Sequence, residues 1–546
     1  MHNQKSYAFK CWFLAVVAGL LGLSIATVPA QPPPETWQVI VQFKAGKDEA
    51  KAKETVEKHG GRVKKHLHWQ GRAQGKGPLV VVETAEPVEQ AVQKFKKDPN
   101  VEFAEPDWIV RHQTAFASEV ISPEAIANDT YYSAGYLWGL MDTGANSFGT
   151  RASAAWAAGY TGARSVYVGI IDEGVQWQHA DLAVNIWNNP FDPADGLDND
   201  GNGYVDDAHG WDFYSGDNSV YDAGGDAHGT HVAGTIAAAG GNSRGVVGVN
   251  WQATVISTKF LGAEGGYTSD AIAAIDYYVD LKERHGLNIV ALNNSWGGGG
   301  YSQALHDAVL RAAKAGMLFV AAAGNGDANG VALNNDTRAN YPSNYDTTRG
   351  TSTESPAGYN AVIAVAALDR NGALGAFSNY GSRTVHIGAP GVSVLSTVPG
   401  GYAHMDGTSM AAPHVTGGVA LYASTHSGKS ANEIRQALLQ SLAPTPALKG
   451  KSTTGGRLNL AQVIAPSGGV SGGTPTPAKF EAPAVVDGQF RVRLKGTIGQ
   501  VYEVQVSPDL TNWTPLGTVT NTTGTAEMAD PISTDWPKKF YRAVTK

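Results

Sequence analysis

Apolar and polar positions alternate at Trp37, Val39, Val41 and Phe43, the period-two pattern of a half-buried strand. A helical stretch follows and stops at Gly60-Gly61. Next come an apolar strand Leu79–Val82, a second helix near Glu86–Lys97 and a short strand Val101–Ala104. That order is compatible with a small β-α-β-β-α-β, ferredoxin-like unit. From Val166 the pattern changes: apolar runs at Val166–Ile171, Val255–Phe260, Ile289–Asn293 and Leu318–Ala322 alternate with helical stretches near Ser269–His285 and Ser302–Ala315. The first of these helices has Thr268/Ser269 as its cap and Gly286 after its end. Apolar runs separated by helices indicate an α/β fold, a doubly wound and mainly parallel sheet covered on both faces. Ligands of such sheets bind beyond the carboxyl ends of the strands, so the residues just past each run carry the interest. A third pattern follows the Gly/Ser/Thr/Pro-rich stretch Pro466–Pro477, a linker composition. Short strands at Phe490–Leu494, Val501–Val506, Leu516–Val519 and Phe540–Val544 predict a small all-β domain.

The first thirty residues are of another kind. Lys5 and Lys10 precede an apolar run Trp12–Ile25 and then Val28-Pro29-Ala30, the layout of a secretory signal peptide cleaved after Ala30. The run falls short of the ~20 apolar residues that span a bilayer, and no later segment is long and apolar enough. A soluble, secreted, extracellular protein without a membrane span after signal removal is expected. The single cysteine, Cys11, lies in this leader, which leaves the mature chain without a disulfide, a zinc ribbon or a cysteine nucleophile. Charge then divides the remainder. Residues 31–112 carry 14 Lys+Arg against 12 Asp+Glu, whereas residues 113–546 carry 25 against 37. A basic module ahead of an acidic body suits an intramolecular chaperone or inhibitor. The net charge of −8, with no long Lys/Arg run, excludes a nucleic-acid partner.

Three polar residues stand where the layout demands explanation. Asp172 directly follows the run Val166–Ile171. His228 opens His228-Gly229-Thr230-His231-Val232-Ala233-Gly234, the start of a small-residue helix that stops at Gly240-Gly241. Ser409 lies in Gly407-Thr408-Ser409-Met410-Ala411-Ala412-Pro413, with an apolar helix beginning just after it and Pro413 in that helix's first turn. Singly, each has a plain structural reading: a strand-end turn residue, a helix-start histidine, a helix N-cap. A serine hydroxyl is a weak nucleophile near neutral pH. It needs a histidine to take its proton and a carboxylate to hold the imidazole's tautomer and stabilise its charge. In the chain order Asp, His, Ser, the three residues match one of the known orders of that triad.

With VGIIDEGV around Asp172, HGTHVAGTIAA at His228 and GTSMAAPHVTGG at Ser409, the chain resembles the subtilisin-like serine proteases, the subtilases of peptidase family S8. The resemblance covers residues 130–465, and residues 36–110 resemble the inhibitor-type propeptide that precedes such enzymes. It implies a signal peptide over 1–30 and an inhibitory propeptide over 31–112. A junction with the maturation cleavage follows over 113–129, a subtilisin-like catalytic domain over 130–465, a linker over 466–479 and a C-terminal β-sandwich-like module over 480–546. It also implies that His228, not His231, is the base, which spacing alone leaves open. One departure is Glu173, where the family usually has Ser or Thr; a second carboxylate beside Asp172 either perturbs its surroundings or points outward.

Asn325, in Ala323-Gly324-Asn325-Gly326 just past the run ending at Ala322, is a turn residue or a donor to the oxyanion of the tetrahedral intermediate. The resemblance implies the second role, with the backbone N–H of Ser409 beside it. Ser295, Trp296 and Gly297, in Asn294-Ser295-Trp296-Gly297-Gly298, resemble the strand that pairs with an extended substrate. Trp296 then narrows an apolar subsite or simply packs. Residues 192–226 hold ten Asp and no Lys or Arg. Within them Asp198, Asp200 and Asn202 stand at offsets 1, 3 and 5, with Gly203 at 6 and the Tyr204 carbonyl at 7, the first half of an EF-hand-like loop. Asp206 and Asp207 add two more hard oxygens. His209 stands where the loop's bidentate Glu belongs, so the expectation is a structural Ca²⁺ loop rather than a complete EF-hand. No organic cofactor is expected.

The function these residues predict is a secreted serine endopeptidase, made as an autoprocessed zymogen and acting as a monomer on protein or peptide substrates, with its own propeptide as inhibitor and chaperone. The alternative is a catalytically inactive, calcium-stabilised binding or adhesion protein on the same scaffold. An α/β-hydrolase esterase would need Gly-x-Ser-x-Gly and the order Ser, Asp, His, which this chain lacks.

Overall fold

The computed structural model describes residues 36–67, 75–118, 129–141, 148–223, 225–464, 479–486, 489–495, 501–520, 525–531 and 538–545. The signal-peptide segment, residues 119–128 of the junction and nearly all of the linker lie outside the described residues. The N-terminal unit is a four-stranded antiparallel sheet in the order Gly61–His66, Leu79–Thr84, Gln38–Phe43, Val101–Pro106. Helices Glu49–Lys58 and Val88–Lys96 cover one face, where Val39, Val41, Val80 and Val82 meet Val56, Val92 and Phe95. Strand Gln38–Phe43 is buried on both faces, not one. Its second face, with Ile40 and Val81, joins the apolar cluster of the large body that includes Ile272 and Tyr277. Trp37 stands outside the strand and is 63% exposed, so it takes no part in the face that its spacing suggested.

The body is built on a nine-stranded sheet in the order Ala443–Pro444, Gly456–Arg457, Ile387–Pro390, Val362–Leu368, Leu318–Ala322, Ile289–Asn294, Gly162–Asp172, Gln252–Lys259, Gly210–Asp212. Every pair but the first is parallel. Because side chains alternate along a strand, Leu318 and Val320 enter one core with Val232, Val415 and Val419. Phe319 and Ala321 enter the other with Ile272 and Val309. Helices Ala227–Ala237 and Thr408–Thr425 contribute to the first core, helices Thr268–His285 and Gln303–Lys314 to the second. Two-sided burial is why the strands read as unbroken apolar runs.

Helix Thr408–Thr425 includes Ser409 and carries Pro413 in its second turn, not its first. Proline there lacks the N–H that would bond the carbonyl four residues back. That carbonyl belongs to Ser409, and it accepts from the Ser295 hydroxyl at 2.8 Å instead. The C-terminal strands form two three-stranded antiparallel sheets, Lys479–Val486, Gln489–Lys495, Thr525–Pro531 and Thr514–Thr520, Val501–Ser507, Phe540–Thr545. Two of these strands, Lys479–Val486 and Thr525–Pro531, add to the four the sequence pattern indicated. Among the described residues, no helix is long and apolar enough to cross a membrane.

Candidate active site

Three neighbouring features of the sheet and its helices assemble the site. Strand Gly162–Asp172 ends on Asp172, helix Ala227–Ala237 begins beside His228, and helix Thr408–Thr425 begins beside Ser409. The Asp172 carboxylate and the His228 ring are buried, and Nδ1 of His228 lies 2.7 Å from Oδ1 of Asp172. Nε2 of His228 is buried without a partner, left free to take a proton. Burial opposes charging this ring, but the Asp172 charge and hydrogen bond, with help from Glu173, outweigh it and hold His228 above its ordinary value. His231 is fully buried, its Nε2 within 3.0 Å of the Val394 carbonyl and 3.1 Å of the Ala403 carbonyl, and burial drives its pKa down to about 3. It serves packing.

Glu173 turns inward. It is 7% exposed, and its Oε1 accepts the backbone N–H of His228. That N–H is among the orphan donors of a helix's first turn, and Asp226 at the cap position makes no side-chain bond to the helix. Glu173 therefore supplies the capping oxygen that Asp226 does not. Burial raises its pKa to about 7, with the Asp172 charge adding to the rise and the His228 charge and N–H opposing it.

Ser409 is fully buried; its hydroxyl donates to the Ser295 carbonyl at 2.8 Å. Asn325 uses Oδ1 to accept from the Thr408 N–H at 2.9 Å and the Thr408 hydroxyl at 2.8 Å. That leaves its Nδ2 buried and unpartnered. A Cβ on Gly407 would stand 3.3 Å from this Nδ2 and 2.3 Å from the carbonyl oxygen of Gln113, so only glycine lets that carbonyl in. The same oxygen accepts the Ser409 N–H at 3.2 Å.

The Gln113 carbonyl arrives on an extended segment that sequence reasoning did not place. Strand Ile109–His112 runs antiparallel between Gly266–Tyr267 and Trp296–Gly297, and Gln113 N–H donates to the Ser295 carbonyl at 2.9 Å. Ser295, Trp296 and Gly297 thus line this added strand of the chain itself. Trp296 is fully buried edge-on against Phe260, 5.0 Å between ring centres, so its side chain packs in the core beneath the groove. The ring of His112 stacks on His228 at 4.6 Å.

The subtilase-family peptidase S8 model matches residues 163–463, and the fervidolysin N-terminal prodomain model matches residues 36–107. This chain belongs to the subtilase family. It is 31% identical to subtilisin amylosacchariticus of Bacillus subtilis subsp. amylosacchariticus over 443 residues, 80% of this chain and 93% of the relative. It is 36% identical to subtilisin DY of Bacillus licheniformis over 289 residues, 53% and 87% of the two chains. The crystal structure of fervidolysin from Fervidobacterium pennivorans, titled a keratinolytic enzyme related to subtilisin, superposes with a TM-score of 0.58. At 22% identity it covers 92% of this chain and 68% of the other, and it bears on the fold alone. The chain is a subtilisin-like serine peptidase with an N-terminal prodomain.

Two prodomain carboxylates, unmarked in the sequence, fasten this subtilase to its prodomain. Glu105 accepts from the Ser302 hydroxyl at 2.7 Å and from the N–H groups of Gln303 and Ala304 at 2.8 and 3.0 Å, capping helix Gln303–Lys314. Asp107 accepts the Ser269 N–H at 2.9 Å at the start of helix Thr268–His285. Burial raises both to about 7. No local signal could have found them, since each cap lies more than 150 residues from its helix.

The acidic loop binds its own backbone. Asp198 accepts from the N–H groups of Gly201, Asn202 and Gly203, and Asp206 from those of Asp195 and Gly196. Asp207 accepts from Asn202 Nδ2 at 2.9 Å and the Tyr277 hydroxyl at 2.6 Å. Asp200 faces the Arg284 guanidinium at 3.7 Å and the His285 ring at 3.3 Å, both from a distant helix. Among the described residues, no three His, Cys, Asp or Glu side chains stand together as a ready metal cage. The donor chemistry still suits a hard cation: the Asp200 carboxylate is 2% exposed and Asp207 fully buried, and each charge repels its neighbours.

Proposed function

We propose that the chain is a secreted serine endopeptidase, synthesised as a zymogen that cleaves its own prodomain and working through Asp172, His228 and Ser409. The observation that carries this reading is the 2.7 Å bond between Asp172 and Nδ1 of His228, with Nε2 left free. The carboxylate holds the tautomer in which Nε2 is the acceptor and stabilises the imidazolium once it forms. Ser409 Oγ leaves the Ser295 carbonyl, gives its proton to Nε2 and attacks a peptide carbonyl held by the Ser295–Gly297 strand. The Ser409 N–H and Asn325 Nδ2 receive the negative charge that develops on the carbonyl oxygen, two fixed donors in a water-poor site. His228 then returns the proton to the leaving amine. The basic-flanked leader supports export. The prodomain is the inhibitor: Glu105 and Asp107 hold it on the body while its last strand fills the substrate groove.

A structural Ca²⁺ in the 198–207 loop belongs to the same reading. It rests on the spacing of oxygen donors, with Asp198, Asp200, Asn202, Asp206, Asp207 and the Tyr204 carbonyl as the residues that would hold it. Its test is calorimetric titration with Ca²⁺ of the full chain and of an Asp198→Ala/Asp200→Ala variant; equal heats from both would remove the ion from this loop. The catalytic reading is tested by Ser409→Ala. The variant is expected to hydrolyse no casein and to keep residues 31–113 attached, whereas the wild type hydrolyses casein and releases them.

A further inference from the structure

We propose that the first bond this enzyme cuts is Gln113–Thr114 of its own chain, and that its groove selects glutamine at that position through the backbone N–H of Asn325. The proposal rests on the protease reading above and adds the bond and the side chain recognised. Four observations place that bond at the nucleophile. Gln113 N–H bonds the Ser295 carbonyl at 2.9 Å, which fixes the backbone on the amino-terminal side of the bond. The Gln113 carbonyl oxygen meets the Ser409 N–H at 3.2 Å, in a space that Gly407 leaves open and the free Nδ2 of Asn325 borders. On the other side, Ala115 N–H bonds the Asp406 carbonyl at 2.6 Å, and Phe116–Ala117 pairs antiparallel with Met405–Asp406. The chain is thus gripped by backbone hydrogen bonds on both sides of one peptide unit, and that unit sits on Ser409. No other carbonyl of the segment has this partner: those of Arg111 and His112 lie within the strand that pairs with Trp296–Gly297.

The side chain of Gln113 adds specificity. Its Oε1 accepts the Asn325 N–H at 3.2 Å, so the backbone of one body residue meets the substrate side chain while the unpartnered Nδ2 of the same residue borders the space around the carbonyl. Lysine or arginine has no acceptor to place there, and methionine has glutamine's length with a much weaker one. Ahead of it, His112 lies against the His228 ring, and Val110 is buried in the apolar cluster containing Leu261 and Trp296. The favoured sequence therefore has an apolar residue at the Val110 position, an aromatic or imidazole ring at the His112 position and glutamine before the cut.

In the step itself, Ser409 Oγ bonds to the Gln113 carbonyl carbon and the C–N bond to Thr114 breaks. The proton from Oγ passes through His228 to the Thr114 amine. Water then cleaves the ester, leaving the Gln113 carboxylate and free Ser409. The test follows the full-length chain from the onset of activity by intact mass and N-terminal sequencing. It also follows a decapeptide of the sequence 109–118 and its Gln113→Met analogue with the processed enzyme. Expected are a first prodomain fragment ending at Gln113, a partner beginning at Thr114, peptide cleavage at the same bond, and about fivefold slower cleavage of the methionine peptide, the loss of one neutral hydrogen bond. A first cut elsewhere, with casein still hydrolysed, overturns the bond assignment and leaves the protease standing. Cleavage of the methionine peptide as fast as the glutamine peptide overturns the side-chain selection. No hydrolysis of casein or peptide by the wild type would overturn the protease reading instead.

Discussion

Replacing Glu173 with glutamine keeps an oxygen for the His228 N–H and removes a charge, which isolates what that charge does. In the folded chain Glu173 titrates at about 7 against an ordinary 4.5, chiefly because it is buried beside Asp172. Ionising it in the folded protein therefore costs about 3 kcal/mol more than in the unfolded chain, an order-of-magnitude figure. The sign follows from the direction. A carboxyl whose folded value is raised binds its proton more tightly when folded, so its stabilising effect is complete below about pH 4.5 and is lost as pH rises through 7. Glutamine never titrates. In a Ser409→Ala background, which removes self-digestion, the Glu173→Gln chain should gain on its parent as pH rises from 4.5 to 8.5. The gap should open by up to about 3 kcal/mol, a few degrees in thermal midpoint. In the active enzyme, His228 loses one of the charges that raise it, so the acid limb of the pH–activity curve should move to lower pH. A difference in midpoint that stays constant from pH 4.5 to 8.5 would refute the account of Glu173 as a buried, titrating cap.

Asn325→Ala should fold and bind substrate yet turn over about 10²–10³-fold more slowly, a magnitude carried over from the equivalent loss in subtilisin itself; single-turnover kinetics on a chromogenic peptide would check it, and normal turnover would remove Asn325 from the oxyanion site. Glu105 and Asp107 titrate near 7 when docked, above ordinary carboxyls, so docking takes up protons and should weaken as pH rises from 5 to 8. The activity released from the processed, non-covalent complex should accordingly appear faster at pH 8 than at pH 5, and a Glu105→Gln/Asp107→Asn chain should lose that pH dependence. In the acidic loop, Arg284 remains as a counter-charge to Asp200 when calcium is chelated. Chelation should thus lower the thermal midpoint without unfolding the chain, and an unchanged midpoint would count against a structural ion.

Much of this molecule was legible because its chemistry is local. Asp172, His228 and Ser409 each sit at the end of an apolar run or the start of a small-residue helix, and such boundaries leave a pattern in a single stretch of sequence. The same holds for the antiparallel prodomain, whose strands and helices follow one another. What the sequence pattern did not reveal is what distant segments do to one another. Glu105 and Asp107 look like ordinary surface acids until helices beginning at Gln303 and Thr268 present their N–H groups. Glu173 could point either way until helix Ala227–Ala237 arrives with an uncapped end. Pro413 suggested a helix start, but Ser295, from another strand, satisfies the carbonyl that proline abandons and so lets the helix begin earlier. Strand Gln38–Phe43 looked half-buried because its second partner is the body, more than 200 residues on.

The central claim is that Ser409 is the nucleophile and that His228 and Asp172 activate it. The most direct test treats the processed enzyme with a fluorophosphonate, which captures an activated serine, and maps the adduct by peptide mass spectrometry. One equivalent should be found on Ser409, with activity lost in proportion and labelling abolished in His228→Ala. An adduct on another serine, or full activity in an enzyme labelled at Ser409, would contradict the account.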